Sequence, residues 1–209
     1  MIEIRISGSK SRGEGMVEAQ VMDVVKNMDS YEKLLLYAAS AFGTDLKSKV
    51  KMQKLMFFCN YALPEVFEDT LYFEAHKKGP YSQDVEEYLL SLEDKNIIDL
   101  PSCAPTELGQ KVSHYVIPKE PVKSIIDSYK KFICNLNQEE LLTLIYVSFP
   151  EYQMNSEVWD DIKRNRLDVA TSLMRKRAVS FSKAVEISGL DQDEFERHLI
   201  SKRVRWRVV

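Results

Sequence analysis

The chain has 209 residues, 44% hydrophobic and 29% charged, with seven Gly and seven Pro; it has apolar material for one large or two small domains, which excludes disorder throughout and collagen-like or low-complexity classes. So few glycines argue against a doubly wound nucleotide-binding fold, and the longest apolar stretch, Leu34 to Gly43, has ten residues where a membrane span needs about 20. The net charge of −3 is uneven: residues 1–159 hold 17 Lys/Arg against 24 Asp/Glu, and residues 160–209 hold 12 against 8, an acidic body with a basic end that points to nucleic acid or an acidic partner, or to a solvated helix face.

No basic-then-apolar leader opens the chain, so a cytoplasmic location is expected. Cys59, Cys103 and Cys134 are sparse and odd in number, which argues for a reducing compartment, and His76, His114 and His198 lie far from metal-ligand spacing. No cofactor and no metal are expected.

In chain order, Ile2, Ile4 and Ile6 alternate with Glu3 and Arg5, a short strand signal, and Ser7 to Gly15 reads as a turn-rich mobile arm without the Lys-Ser/Thr ending of a phosphate loop. From Ser30 the period is helical: Leu34, Leu35, Tyr37, Ala38, Ala41 and Phe42 make one face, stopped by Gly43. Thr44 or Asp45 is positioned to cap a second helix, Lys47 to Ala62, with Met52, Leu55, Met56 and Cys59 inward, Lys47, Lys49, Lys51 and Lys54 in its first turns, and Pro64 as its stop. Thr70 to Ala75 reads as extended and His76 to Pro80 as a polar turn. Ser82 to Asp94 reads as a helix facing inward through Val85, Tyr88, Leu89 and Leu92. Asn96 to Leu100 and Ser113 to Ile117 read as two short strands around Thr106-Glu107-Leu108-Gly109, so residues 30–119 follow the element order of a winged helix.

Pro118 and Pro121 mark a boundary, after which Val122, Ile125, Ile126, Tyr129, Phe132 and Ile133 predict a helix; Asn137 caps another, through Leu141 to Phe149, ended by Pro150. Trp159 to Val209 reads as helices plus a terminal strand. No internal repeat is evident. The predicted organisation is mainly α: a strand and linker arm over 1–29, a winged-helix-like module over 30–119, connecting helices over 120–160, and a C-terminal helix-turn-helix domain with a basic end over 161–209.

The central segment carries the most specific pattern: K-V-K-M-Q-K-L-M-F-F from Lys49 to Phe58, F-E-A-H-K-K-G-P-Y-S from Phe73 to Ser82, and L-L-T-L-I-Y-V-S-F-P-E-Y further on. Through Gln53, Lys54, Leu55, Phe57, Phe58, Glu74, Ala75, Lys78, Gly79 and Pro80 it resembles the Panacea (SocA-like, phage-associated) antitoxin family over roughly residues 30–150, with His76 where that family has Trp and Gly-Pro-Tyr for Gly-Pro-Val. The resemblance implies an antitoxin that neutralises a toxin by direct contact. Read physically, Gly79-Pro80 fixes a turn with Gly79 extended, and Gln53 and Lys54 are placed to hydrogen-bond the 74–78 segment as a structural tie. Nothing in the motif supplies a nucleophile with a base.

Near the end, Ser182 to Leu190 followed by Asp191 to Lys202 looks like a helix-turn-helix, with Val185 and Gly189 at the turn and Ala184, Ser188, Leu190, Phe195 and Leu199 between the helices. Leu167 to Val179 fits a supporting helix, and residues 167–204 resemble small archaeal antitoxin-like proteins. The start of the second helix holds Asp191, Asp193, Glu194 and Glu196, which oppose phosphates and leave Gln192 to reach a base. The stronger phosphate candidates are Arg175, Lys176, Arg177, Lys183, Lys202, Arg203, Arg205 and Arg207, the last two on a basic strand whose Val204, Trp206 and Val208 face inward. A buried structural Cys59 is favoured over a nucleophile. Asp160-Asp161 and Asp191-x-Asp193-Glu194 are read as acidic helix starts rather than metal carboxylates. The chain therefore reads as a non-enzymatic regulator. Its candidate partners are a toxin or other protein, double-stranded DNA, and a second copy of itself as homodimer, with no membrane. The alternatives are a protein-interaction adaptor without DNA contact and, third, an unrecognised hydrolase.

Overall fold

The computed structural model describes residues 15–41, 46, 48–67 and 71–206. The strand at Ile2–Ile6, most of the arm after it, the stop at Gly43, the caps at Thr44 or Asp45, and Arg207 lie outside the described residues. The protein is mainly α, with eleven α-helices and two small two-stranded sheets among the described residues, and none of these helices is long and apolar enough to cross a membrane. The chain forms two compact units, Met1–Phe73 with Tyr81–Asn135, and Glu74–Pro80 with Leu136–Val209. The residues read as connecting helices, 120–160, divide between them after Asn135.

Unit 1 begins with a helix where the sequence reads as an arm: α1 (Gly15–Asn27) buries Val21 and Val25, with Met28 beyond its end, at helical spacing. Helix α2 (Ser30–Ser40) starts in a capping box, Asp29 accepting from the helix while Glu32 reaches back to the Asp29 N–H. At its other end the buried Lys130 ammonium donates to the carbonyls of Ala39 and Ala41, 2.7 Å each, answering carbonyls that a helix terminus leaves unpaired. Ser48 caps α3 (Lys49–Ala62), and Pro64 opens a short helix, α4 (Pro64–Phe67), rather than only stopping the chain.

Strands β1 (Glu74–His76) and β2 (Gly79–Tyr81) pair and belong to unit 2 up to Pro80; unit 1 resumes at Tyr81, and Ser82 caps α5 (Gln83–Asp94), which buries Val85, Leu89 and Leu92. The predicted strand pair is corrected. Strand β3 (Ile98–Asp99) pairs antiparallel with β4 (Ala104–Pro105), and Glu107–Ser113 is helix α6, so Ser113 to Ile117 is not a strand. Thr106 caps α6, and Gly109 lets α6 meet the end of α5: a Cβ there would lie 2.0 Å from the Ile97 carbonyl oxygen. Helix α7 (Val122–Cys134) closes the unit against α3, with Tyr129 stacked on Phe58.

In unit 2, α8 (Gln138–Ser148) also starts in a capping box, from Asn137 and Glu140. A 3-10 turn follows at Pro150, and Leu142, Tyr146 and Ile162 form a core with Trp159 against Tyr146. Asn155 donates to the Ala75 carbonyl and the Glu157 N–H to that of Lys77, which fastens the 74–80 segment within this unit. The supporting helix is longer than expected, α9 (Trp159–Arg175), and packs on α10 (Phe181–Ser188), with α11 (Gln192–Ser201) against α10. Val204 to Trp206 forms no strand, which corrects the expected terminal strand over those residues.

An internal repeat that the sequence reading missed emerges here. In unit 1 the Glu32 carboxylate, 2% exposed, accepts from the Asp29 N–H, from Ser91 Oγ at 2.6 Å and from Lys95 Nζ, the last two from the end of α5. In unit 2 the Glu140 carboxylate, 1% exposed, accepts from the Asn137 N–H, Ser172 Oγ and Lys176 Nζ at 2.7–2.8 Å, the last two from the end of α9. Both helix ends read Ser-Leu-x-x-Lys, then a residue with positive φ: Asn96 (55°) and Arg177 (53°). Both close in a Schellman motif, Ile97 N–H to Leu92 O (2.9 Å) and Ala178 N–H to Leu173 O (3.0 Å).

Candidate nucleic-acid interface

The family-motif residues divide between the units. On α3, Gln53, Lys54, Leu55, Phe57 and Phe58 are all buried. The Gln53 amide bonds Ser82 twice, Nε2 to its carbonyl and its N–H to Oε1, each 3.0 Å. This corrects the expected tie of Gln53 to the 74–78 segment: it holds the capping residue of α5 instead. Glu74 and Lys78 are exposed, Ala75 is half-buried, and Gly79 and Pro80 are buried. Gly79 has φ 78°, so its turn rests on the left-handed backbone rather than the extended shape expected before proline.

Cys59 and Cys103 are buried, and burial pushes both thiols up to about 12, far from a thiolate at neutral pH. Among the described residues no group of three or more His, Cys, Asp or Glu is placed to hold a metal ion. Asp161 pairs with Arg164, and Asp191 caps α11 through the Glu194 N–H at 2.8 Å.

The basic residues lie in sequence at and just beyond the ends of α9 and α11, two helices that touch one turn earlier. Thr171 Oγ1 and His198 Nε2 stand 3.1 Å apart, one turn before Arg175 and Lys202 on their helices. Beyond the ends, Phe181 stacks on Trp206 with centroids 5.9 Å apart and planes 9° from parallel, and Phe181 also meets the buried Phe195. The first contact ties α9 to α11 one turn before their ends, and the second ties Phe181, at the start of α10, to Trp206 beyond the end of α11. Trp206 is half-buried in that packing.

The cations there are not equivalent. Lys176 is bound to the buried Glu140 carboxylate, and Lys183 pairs with Glu186 at 2.6 Å. Arg175, Arg177, Lys202, Arg203 and Arg205 are exposed and make no ion pair among the described residues. Arg203, like Arg177, is a non-glycine residue in the left-handed region, φ 54°, closing α11 in its own Schellman motif. Gln192 is exposed at the start of α11, beside the exposed Asp191, Asp193 and Glu194 and the half-buried Glu196.

Sequence reasoning passed over Arg166, whose guanidinium donates at 2.7 Å each to the carbonyls of Glu186 and Ile187. It caps α10 and lies over Gly189, whose φ of 74° makes the turn into α11. An Arg 21 residues before a helix end has no local signature. No family model, no curated protein and no solved structure matches this chain.

Proposed function

We propose that the chain is a non-enzymatic, cytoplasmic binding protein of the antitoxin or transcription-regulator kind, in contact with a toxin or other protein and with double-stranded DNA. In this reading α9 to α11 are a helix-turn-helix. Helices α2, α3 and α5 with β3 and β4 are a winged-helix-like module, and the resemblance to the Panacea family supplies the antitoxin role. The observation that carries the DNA contact is the set of five exposed, unpaired cations at the ends of α9 and α11, helices that touch through Thr171 and His198. The left-handed Gly189 between α10 and α11, with Asp191 as cap, supports the tight turn.

Phosphate contacts release condensed cations, so affinity for a duplex falls steeply with salt. Fluorescence anisotropy of labelled genomic duplexes between low and moderate salt tests this. Changing Arg203 and Arg205 to Ala is expected to flatten the log–log slope by roughly one per lost contact. A wild-type chain that binds no duplex even at low salt overturns the DNA role. The second reading, an adaptor without DNA contact, is favoured by the carboxylates at the start of α11. A protein captured from the native host through residues 160–209, together with absent duplex binding, would establish it.

A further inference from the structure

The repeated helix end separates what is structural in the basic cluster from what is left over. Aligned on the shared Ser-Leu-x-x-Lys, Lys95 matches Lys176, and both bind a buried capping-box carboxylate. Unit 1 therefore shows what the arrangement itself requires: Ser, Leu, Lys, and a residue that accepts the left-handed backbone. Asn96 fills that last position in unit 1 with a residue that tolerates it. Unit 2 places Arg177 there, which carries the Cβ penalty of positive φ without the short polar side chain that eases it for Asn, and returns nothing to the packing, since it is exposed and in no ion pair. Two positions earlier, Asp94 is matched by Arg175. The same choice recurs at the end of α11, where Arg203 takes the left-handed position.

We infer that this helix end is used twice, as a structural joint in unit 1 and as a phosphodiester-binding end in unit 2, where Arg175 and Arg177 stand in place of Asp94 and Asn96. The inference rests on the DNA reading above and assigns its contacts. Phosphate is the fitting ligand because four of the five free cations are arginines, whose planar forks donate to two phosphate oxygens at once. Lys176, expected from sequence to touch phosphate, is instead the internal counter-ion of Glu140.

The test uses the full chain, a fluorescein-labelled duplex of about 30 base pairs, and anisotropy over a salt series. The variant R175D/R177N installs the residues that unit 1 carries. It is expected to bind at least tenfold more weakly at low salt, to lower the log–log slope by roughly two, and to melt no earlier than wild type. K176A is expected to do the reverse: an earlier melt with the slope near wild type. Should R175D/R177N fail to fold by circular dichroism, R175Q/R177G carries the same expectation, because Gly takes the left-handed backbone without strain. Wild-type binding whose slope R175D/R177N leaves unchanged overturns this assignment while the DNA reading stands; a wild type that binds no duplex overturns both. A K176A slope as flat as that of R175D/R177N, or displacement of the duplex by poly-glutamate at equal charge concentration, also overturns it.

Discussion

Replacing Glu140 by Gln keeps the shape of a buried side chain and removes its charge. The carboxylate accepts three hydrogen bonds, from the Asn137 N–H, Ser172 and Lys176. An amide has one oxygen to offer and turns its NH2 toward a donor. Bonds to a charged group contribute about 1.5–3 kcal/mol and neutral ones about 0.5–1.5, so three weakened bonds sum to about 3 kcal/mol. Lys176 is about a third exposed and regains water, which discounts its share and leaves about 2 kcal/mol. Burial alone would raise the Glu140 pKa, but the bonds from Lys176, Ser172 and Asn137 outweigh it and hold the carboxyl below its usual range. Its contribution is thus present above the unfolded value, near 4.3, and lost as pH falls through the lower folded one. Urea unfolding followed by tryptophan fluorescence reads this directly, because both tryptophans, Trp159 and Trp206, lie in unit 2. The gap between wild type and E140Q is expected to be widest at neutral pH and to close on acidification. A gap under about 0.5 kcal/mol at neutral pH, or one that acid leaves unchanged, would refute the argument.

Two further substitutions probe backbone positions. Gly109→Ala puts a Cβ against the Ile97 carbonyl oxygen at 2.0 Å, and since neither partner is a movable side-chain tip, α6 must shift; a loss of about 2–4 kcal/mol in thermal or urea unfolding is expected, and an unchanged midpoint would show that α6 moves freely. Gly79→Val forces a β-branched residue to φ 78° before proline, with an expected cost of about 1–3 kcal/mol; an unaltered melt would mean the turn is not a fixed element.

The helices with strong caps and a clear apolar period were legible. Ser82 before Val85, Leu89 and Leu92 announces α5, and Asn137 before the apolar run from Leu141 announces α8. Helix α1 was not, although Val21, Val25 and Met28 keep the period, because the Gly- and Ser-rich stretch before it reads as a continuing arm. Helix α6 has too little pattern: of its seven residues only Gly109 and Val112 are buried, and its place depends on a contact with Ile97 that no local rule announces. The basic residues were visible as composition. What each one does was not, since the pairing of Lys176 with Glu140 spans 36 residues and the left-handed backbone at Arg177 and Arg203 is fixed by helix ends. The repeat escaped because it is a set of bonds carried by a few residues, Glu32 with Ser91 and Lys95, then Glu140 with Ser172 and Lys176, separated by unlike sequence.

The charges on α11 are segregated along its length, and this bears on how a duplex could be engaged. Asp191, Asp193 and Glu194 complement the positive end of the helix dipole, and Lys202 and Arg203 complement the negative end, so the helix gains from both sets in isolation. That gain needs only side chains of the right sign near each end; it does not require arginine in a left-handed position, where Gly would complete the Schellman motif at less cost. The surplus cost at Arg177 and Arg203 therefore asks for a return outside the fold. If the return is phosphate, the approach is made by the carboxyl ends of α9 and α11, away from the acidic start of α11 that a recognition helix would send into the major groove. Contacts of that kind hold the backbone and carry no base readout. Selectivity for a site would then have to come from a partner bound elsewhere, which is where the antitoxin reading and the DNA reading meet.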